Sequence, residues 1–258
     1  MTLQVSVSGS GTPLVLLHGW LFPGAVWEPL AAELAQHFRV HVVDLPGYGR
    51  NVNYVCEPYD MEQLIAAISS SVPRDSVAIG WSLGALIAID WALLRPEQLR
   101  AVVLIGGTPR FTTAPDWPFG TPPEQLAAFT QACQDDMAGT IKRFASSQAK
   151  GIPQPNATIR FLNRVLAQNP PPADDALVGG LHLLRDVDCR DKLGEISLPT
   201  LVIHGGEDSV IPVQAGETLA RHIPDARWAC FADSGHVPFL VKPRAVADTI
   251  QEFCDELG

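Results

Sequence analysis

In Ser76-Val77-Ala78-Ile79-Gly80-Trp81-Ser82-Leu83-Gly84-Ala85-Leu86 a mostly apolar run enters Gly80-x-Ser82-x-Gly84, and an apolar segment suited to a helix follows. The pattern predicts a buried strand, a sharp backbone turn and a helix. Glycine is required on both sides of the turn because a Cβ at either position would collide with a neighbouring strand or helix. Ser82 then stands at the apex, strained and exposed, beside a helix N-terminus whose free N–H groups favour developing negative charge. Gly-x-Ser-x-Gly also occurs by chance, and a plain turn serine is the alternative; the strand before it and the helix after it argue for a nucleophile. Val77 to Leu94 is 18 residues with one charge, Asp90, which is long enough to raise a transmembrane span. The glycine break and the absence of flanking Lys/Arg clusters argue instead for a central strand and a buried helix.

Working outward, Leu14–Leu17, Arg39–Val43, Ala101–Ile105, Pro199–Ile203 and Ala226–Phe231 read as further strands. Helical spacing recurs in Val26–His37, Tyr59–Ser70, Pro212–His222 and Pro243–Leu257. Strands alternating with helices predict an α/β protein with a mostly parallel sheet covered on both faces. The alternation stops between about Pro109 and Arg190, where four helical patterns occur (Pro123–Asp136, Thr140–Ala149, Ala157–Gln168, Asp174–Arg185) with Pro-rich joints. The expectation is therefore a core formed by 1–108 and 191–258, with 109–190 a helical cap inserted between sheet strands over the site.

With 47% apolar and 18% charged residues in 258, the chain can bury one large core. A net charge of −10 disfavours nucleic-acid binding. Five scattered cysteines without a C-x-x-C pair suggest reduced thiols and exclude a cysteine-based zinc site. The first residues lack a basic and apolar leader, so a cytoplasmic, monomeric protein without membrane attachment is expected. No metal cluster or nucleotide fingerprint is visible, and no cofactor is expected.

A serine nucleophile needs a base, itself oriented by an acid. His236 follows the last strand in Asp233-Ser234-Gly235-His236 and is the best candidate for the base. His37, His41, His182 and His222 lie within helix or strand patterns, while His18 and His204 end strands and suit loop packing. Asp208, just past a strand in Glu207-Asp208-Ser209-Val210-Ile211-Pro212, is favoured as the acid over Glu207; Asp233 reads as a turn former and Asp44 as structural. An oxyanion hole needs two backbone N–H groups, each worth on the order of 3 kcal/mol. Leu83 supplies one, and Trp20, in His18-Gly19-Trp20 after the first core strand, the other. Trp20 and Trp81 would wall the site, with plain core packing as the alternative. Serine, where an aspartate would make an alkyl ester, points to acyl transfer.

The segment Met137–Ala173 carries Lys142, Arg143, Lys150, Arg160 and Arg164 and no acidic residue. In so acidic a chain this suits an acidic partner, although a solvated helix face would look the same. Phe129, Phe144 and Phe161 nearby could line an apolar channel or form ordinary cap core.

With these residues assembled, the chain resembles the α/β-hydrolases, and more closely the pimeloyl-[acyl-carrier protein] methyl ester esterases of biotin synthesis. The likeness is carried by Leu16-Leu17-His18-Gly19-Trp20, Val43-Asp44-Leu45-Pro46-Gly47-Tyr48-Gly49-Arg50 and Gly80-Trp81-Ser82-Leu83-Gly84. Asp116-Trp117-Pro118, Gly179-Gly180-Leu181, Val187-Asp188-x-Arg190 and His236-x-Pro238-Phe239 extend it along the chain. The resemblance implies hydrolysis of the methyl ester of a pimeloyl chain on the phosphopantetheine of acyl carrier protein. It also implies that Trp20, Leu83 and His236 contact the ester end, that Phe144 and the segment to Gln148 line the acyl channel, and that basic cap residues hold the carrier. The match is loosest at Ala145-Ser146-Ser147, around Pro153–Asn156 and at Ala85. A general short-chain carboxylesterase, a thioesterase or a carbon–carbon bond hydrolase would use the same frame, and a binding module with a vestigial site is the non-enzymatic alternative.

Overall fold

A computed structural model describes residues 2–257. Seven strands form one sheet in the order β1-β3-β2-β4-β5-β6-β7. They are β1 (Val5–Gly9), β2 (Pro13–Leu17), β3 (Arg39–Val43), β4 (Ser76–Trp81), β5 (Leu99–Ile105), β6 (Thr200–Gly205) and β7 (Arg227–Phe231). Every pairing is parallel except that of β1 with β3. All six residues of β4 and all six of β6 are buried, which is why these strands are written as unbroken apolar runs rather than alternating ones. Strand β1 carries no apolar run that marks it in the sequence. Its residues from Ser6 to Gly9 are exposed, and it is held by antiparallel pairing to β3 rather than by an apolar face.

Helices α1 (Glu28–Leu34), α2 (Met61–Ser69) and α3 (Leu83–Leu94) connect the first five strands. Helix α3 packs on β2, β4 and β5, with only its last residues and Asp90 less than buried. The 18-residue apolar stretch thus divides at Ser82 into β4 and α3, and among the described residues no helix is long and apolar enough to cross a membrane. Between β5 and β6 come α4 (Pro123–Asp135), α5 (Met137–Ser147), α6 (Pro155–Gln168) and α7 (Asp174–Asp186); α8 (Val213–His222), α9 (Pro238–Val241) and α10 (Pro243–Asp255) finish the chain. Helix α8 packs on β6 and β7, and α10 on α1.

The helical insertion leaves and rejoins the core at one neck. Arg110 and Asp188 form an antiparallel bridge, their side chains pair at 2.6 Å, and the Cys189 N–H donates to the Pro109 carbonyl at 3.0 Å. Arg190 adds contacts to Asp188 at 2.8 Å and Asp116 at 3.0 Å while lying over the Trp117 ring. Two separated stretches, Asp116-Trp117 and Asp188-x-Arg190, therefore meet in space.

Candidate active site

The turn from β4 into α3 puts Ser82 at φ 55°, ψ −115°, a conformation that costs a non-glycine residue about 1–3 kcal/mol and persists only where its surroundings enforce it. The enforcement is steric. A Cβ on Gly80 would drive into the Gly84 carbonyl, and one on Gly84 into the carbonyl of Leu17. The Ser82 N–H is fixed at 3.0 Å to the Ile105 carbonyl. Its side chain is partly exposed, among neighbours that are buried.

The loop after β2 closes against this turn. A Cβ on Gly19 would stand 3.0 Å from the Trp81 ring and 3.2 Å from Ser82 Cβ, so glycine spares a tight contact where this loop meets the serine turn. Leu21, next in the chain, has φ 77°, which swings the backbone at Trp20. Among the described residues the backbone N–H groups of Trp20 and Leu83 have no protein acceptor. Leu83 follows Ser82 directly, and Trp20 follows Gly19, which abuts Ser82, and lines the same cavity.

His18, just before this loop, is wholly buried and uses both ring nitrogens as the neutral form. Leu45 N–H donates to Nε2 at 2.9 Å, so Nδ1 carries the proton and donates to the Gly19 carbonyl at 2.9 Å. Burial pushes its pKa down to about 4, against the opposing pull of the Gly19 carbonyl and the Asp44 charge. Because the unfolded chain takes up this proton near pH 6.5 and the folded one only near 4, stability is full above pH 6.5 and falls on acidification between those values. His18→Gln, which keeps an acceptor for Leu45 and cannot titrate, is expected to escape a loss of about 2–3 kcal/mol between pH 7 and 4.5. Urea unfolding of both proteins at the two pH values measures the difference.

The loops after β6 and β7 bring Asp208 and His236 together. Asp208 Oδ2 accepts from His236 Nδ1 at 2.7 Å, and Oδ1 accepts from the N–H groups of Val210 and Ile211 at 2.8 and 2.9 Å. Burial would raise the Asp208 carboxyl, but the facing His236, aided by His204, outweighs it and holds the group well below the usual carboxylate range. With Nδ1 committed to Asp208, Nε2 of His236 is the nitrogen left to accept a proton. Trp81 does not wall the cavity: it is 1% exposed, stacked among Phe22, Trp27 and Phe239, and its Nε1–H donates to the His236 carbonyl at 2.8 Å. No hydrogen bond joins Ser82 to His236 among the described residues; in substrate-free sites such bonds are commonly long and tighten on the substrate.

A cavity of about 270 Å³ opens on Ser82 and is lined by Trp20, Phe129 and Phe144 together with Phe111, Leu181 and Val210. Trp20, Phe129 and Phe144 touch edge to face or tilted, with centroids 5.2–5.5 Å apart. The Trp20 Nε1–H is spent on the Leu177 carbonyl of α7 at 2.9 Å, which leaves its ring face for an apolar ligand. Leu83 and Gln148 lie off this surface; Gln148 is buried and donates to the Phe144 carbonyl at 3.1 Å. Phe161 is half-buried beneath Arg164 instead. Of the further lining residues Phe111, Leu181 and Val210, only Val210, two residues after Asp208, is marked by its place in the sequence. The turn after α5 seals the pair from behind: a Cβ on Gly235 would lie 2.8 Å from the Lys150 carbonyl, and one on Gly151 2.6 Å from that of Glu207.

The five basic residues of Met137–Ala173 are all exposed. Arg164 pairs with Glu28 of α1 at 3.0 Å and Arg143 lies 3.9 Å from Asp136, whereas Lys142, Lys150 and Arg160 have no ion pair among the described residues.

A strained serine after a parallel strand, with a buried Asp–His pair delivered from two later strand ends, is the architecture of the α/β-hydrolases. The chain belongs to that family, whose model, described as the alpha/beta hydrolase fold, matches residues 12–243. Within it the chain is a relative of proteins named pimeloyl-[acyl-carrier protein] methyl ester esterase. It is 37% identical to the one from Vibrio atlanticus (99% of this chain, 96% of that one) and 37% identical to the one from Aeromonas salmonicida (98% and 99%). Among solved structures, an esterase from Exiguobacterium antarcticum superposes with a TM-score of 0.85 at 26% identity, covering 97% of this chain and 94% of that one. A bromoperoxidase from Bacillus anthracis, at 18% identity and a TM-score of 0.86 over 97% and 94% of the two chains, shares the fold alone.

Proposed function

We propose that the protein is a serine carboxylesterase that hydrolyses the methyl ester of pimeloyl-acyl carrier protein. The observation that carries this reading is the partly exposed Ser82 on an aromatic cavity, with the His236–Asp208 pair in the adjoining loops, in a chain whose full-length relatives bear that name. Ser82 Oγ attacks the ester carbonyl carbon as His236 Nε2 takes its proton. The tetrahedral oxyanion accepts from the N–H groups of Trp20 and Leu83. Collapse breaks the bond to methoxide, which leaves as methanol with the proton held on His236. Water, deprotonated by the same nitrogen, then attacks the Ser82 ester; the bond from the acyl carbon to Ser82 Oγ breaks, His236 returns the proton to Oγ, and the carboxylic acid, which ionises, departs with its chain still on the carrier. Trp20, Phe129 and Phe144 hold the polymethylene chain. The insertion, residues 109–190, acts as the cap, and its basic face holds the acidic carrier in the cytoplasm.

The test compares methyl pimeloyl-acyl carrier protein with dimethyl pimelate, a small aryl ester and a β-diketone. Higher kcat/KM on the carrier-borne ester is expected, and equal efficiency on the carrier-free ester would overturn the carrier reading. Reversing charge at Lys142 and Arg160, which have no ion pair among the described residues, is expected to raise KM for the carrier-borne ester about tenfold at low salt. KM for the aryl ester should not move.

A further inference from the structure

His204 is a second histidine on the acid of the triad. It is the fifth residue of β6, fully buried, and four residues before Asp208. Its Nε2 lies 2.9 Å from the Ile211 carbonyl and 3.3 Å from Asp208 Oδ2. Its Nδ1 is buried with no hydrogen-bond partner among the described residues, faced by Gly216 of α8, while the Trp228 ring lies 6.1 Å from its own.

These contacts fix the tautomer. Both groups near Nε2 are acceptors, so Nε2 carries the proton. A second proton on Nδ1 would be a buried donor with nothing to receive it, and such a group costs about as much as a lost hydrogen bond. The ring is therefore a neutral Nε2–H donor held between Ile211 and Asp208.

Apart from His204, Asp208 is held by its own loop and by His236. Its Oδ1 is held by the N–H groups of Val210 and Ile211, but both belong to the same short loop and move with it. His204 sits on the rigid strand. By gripping the Ile211 carbonyl from the other side it pins that loop to the sheet, and its N–H field also stabilises Oδ2, the oxygen that holds His236.

We propose that His204 is a positioning residue of the reaction, setting the place and orientation of Asp208 and, through it, of the His236 ring. This rests on the serine-esterase reading above.

Asn and Gln substitutions separate this role from packing. Glutamine places an amide N–H near the Nε2 position, whereas asparagine places it near Nδ1, away from Asp208. His204→Gln is expected to keep kcat within about threefold of the parent. His204→Asn is expected to lower kcat by about tenfold, the upper range for one lost hydrogen bond to a neutral carbonyl, with KM within about twofold. Equal losses in the two variants, no loss in either, or a change carried by KM would overturn the proposal. Should the variants not fold, ring-nitrogen NMR of the parent protein decides. An Nε2–H proton on His204 that moves when Asp208→Asn is introduced supports the assignment; an Nδ1–H tautomer, or indifference to Asp208→Asn, refutes it. Ser82→Ala runs alongside. If that variant keeps its activity the esterase reading itself fails, whereas an inactive Ser82→Ala with an unaffected His204→Asn removes only the role given to His204.

Discussion

Ser82→Ala is expected to lower kcat on the carrier-borne ester by about 10⁶-fold, the scale on which serine hydrolases depend on their nucleophile. The loss should fall on kcat, with KM little changed, because the substitution leaves the cavity wall of Trp20, Phe129 and Phe144, proposed above to hold the acyl chain, intact. The variant has no reason to unfold. Its Ser82 N–H bond to Ile105 is unchanged, and among the described residues the Ser82 side chain makes no hydrogen bond that alanine would forfeit. Single-turnover assays and mass spectrometry check both halves: the parent should accumulate or pass through an acyl adduct on Ser82, and the variant should show none. Near-parental turnover in a folded Ser82→Ala would remove the mechanism.

Asp208→Asn is expected to lower kcat by about 10⁴-fold. The backbone bonds from Val210 and Ile211 to Oδ1 can survive, so the loop should keep its shape. What changes is the proton on the facing ring. An asparagine amide turned toward His236 donates to Nδ1, which moves the ring proton to Nε2 and leaves no lone pair for the Ser82 hydroxyl. The parent carboxyl is held well below the usual range by the facing His236 despite its burial, so it stays ionised throughout any assay range in which the protein is folded. Loss of activity on acidification should therefore be absent as a contribution from Asp208. The measurement is kcat against pH for both proteins, paired with ring-nitrogen NMR of His236 to read the tautomer.

The central strands were legible because burial on both sides forces unbroken apolar runs, as in Leu14–Leu17 and Val77–Ile79. Strand β1 was not, because an edge strand paired on one side needs few apolar residues, and Val5 and Val7 between serines carry too little pattern. Ser82, Asp208 and His236 could be singled out because each stands just past a strand in a run of turn formers. Trp81 could not be placed. It is the last residue of β4, and whether its ring turns to the cavity or beneath His236 depends on the turn geometry. Gln148 likewise sits at the end of α5, where its rotation about the helix decides between the cavity and the Phe144 carbonyl it actually meets. Phe111 and Leu181 come to the cavity from separate parts of the insertion, and no local spacing announces that they converge.

The neck joining Arg110 to Asp188 has an evolutionary meaning. Because the polypeptide departs from the sheet and returns at a single sewn point, the excursion between can gain or lose whole turns without shifting the pairing of β5 with β6. If the insertion is the cap proposed above, a change in its length would alter what reaches Ser82 while the strand ends that carry Ser82, Asp208 and His236 keep their places.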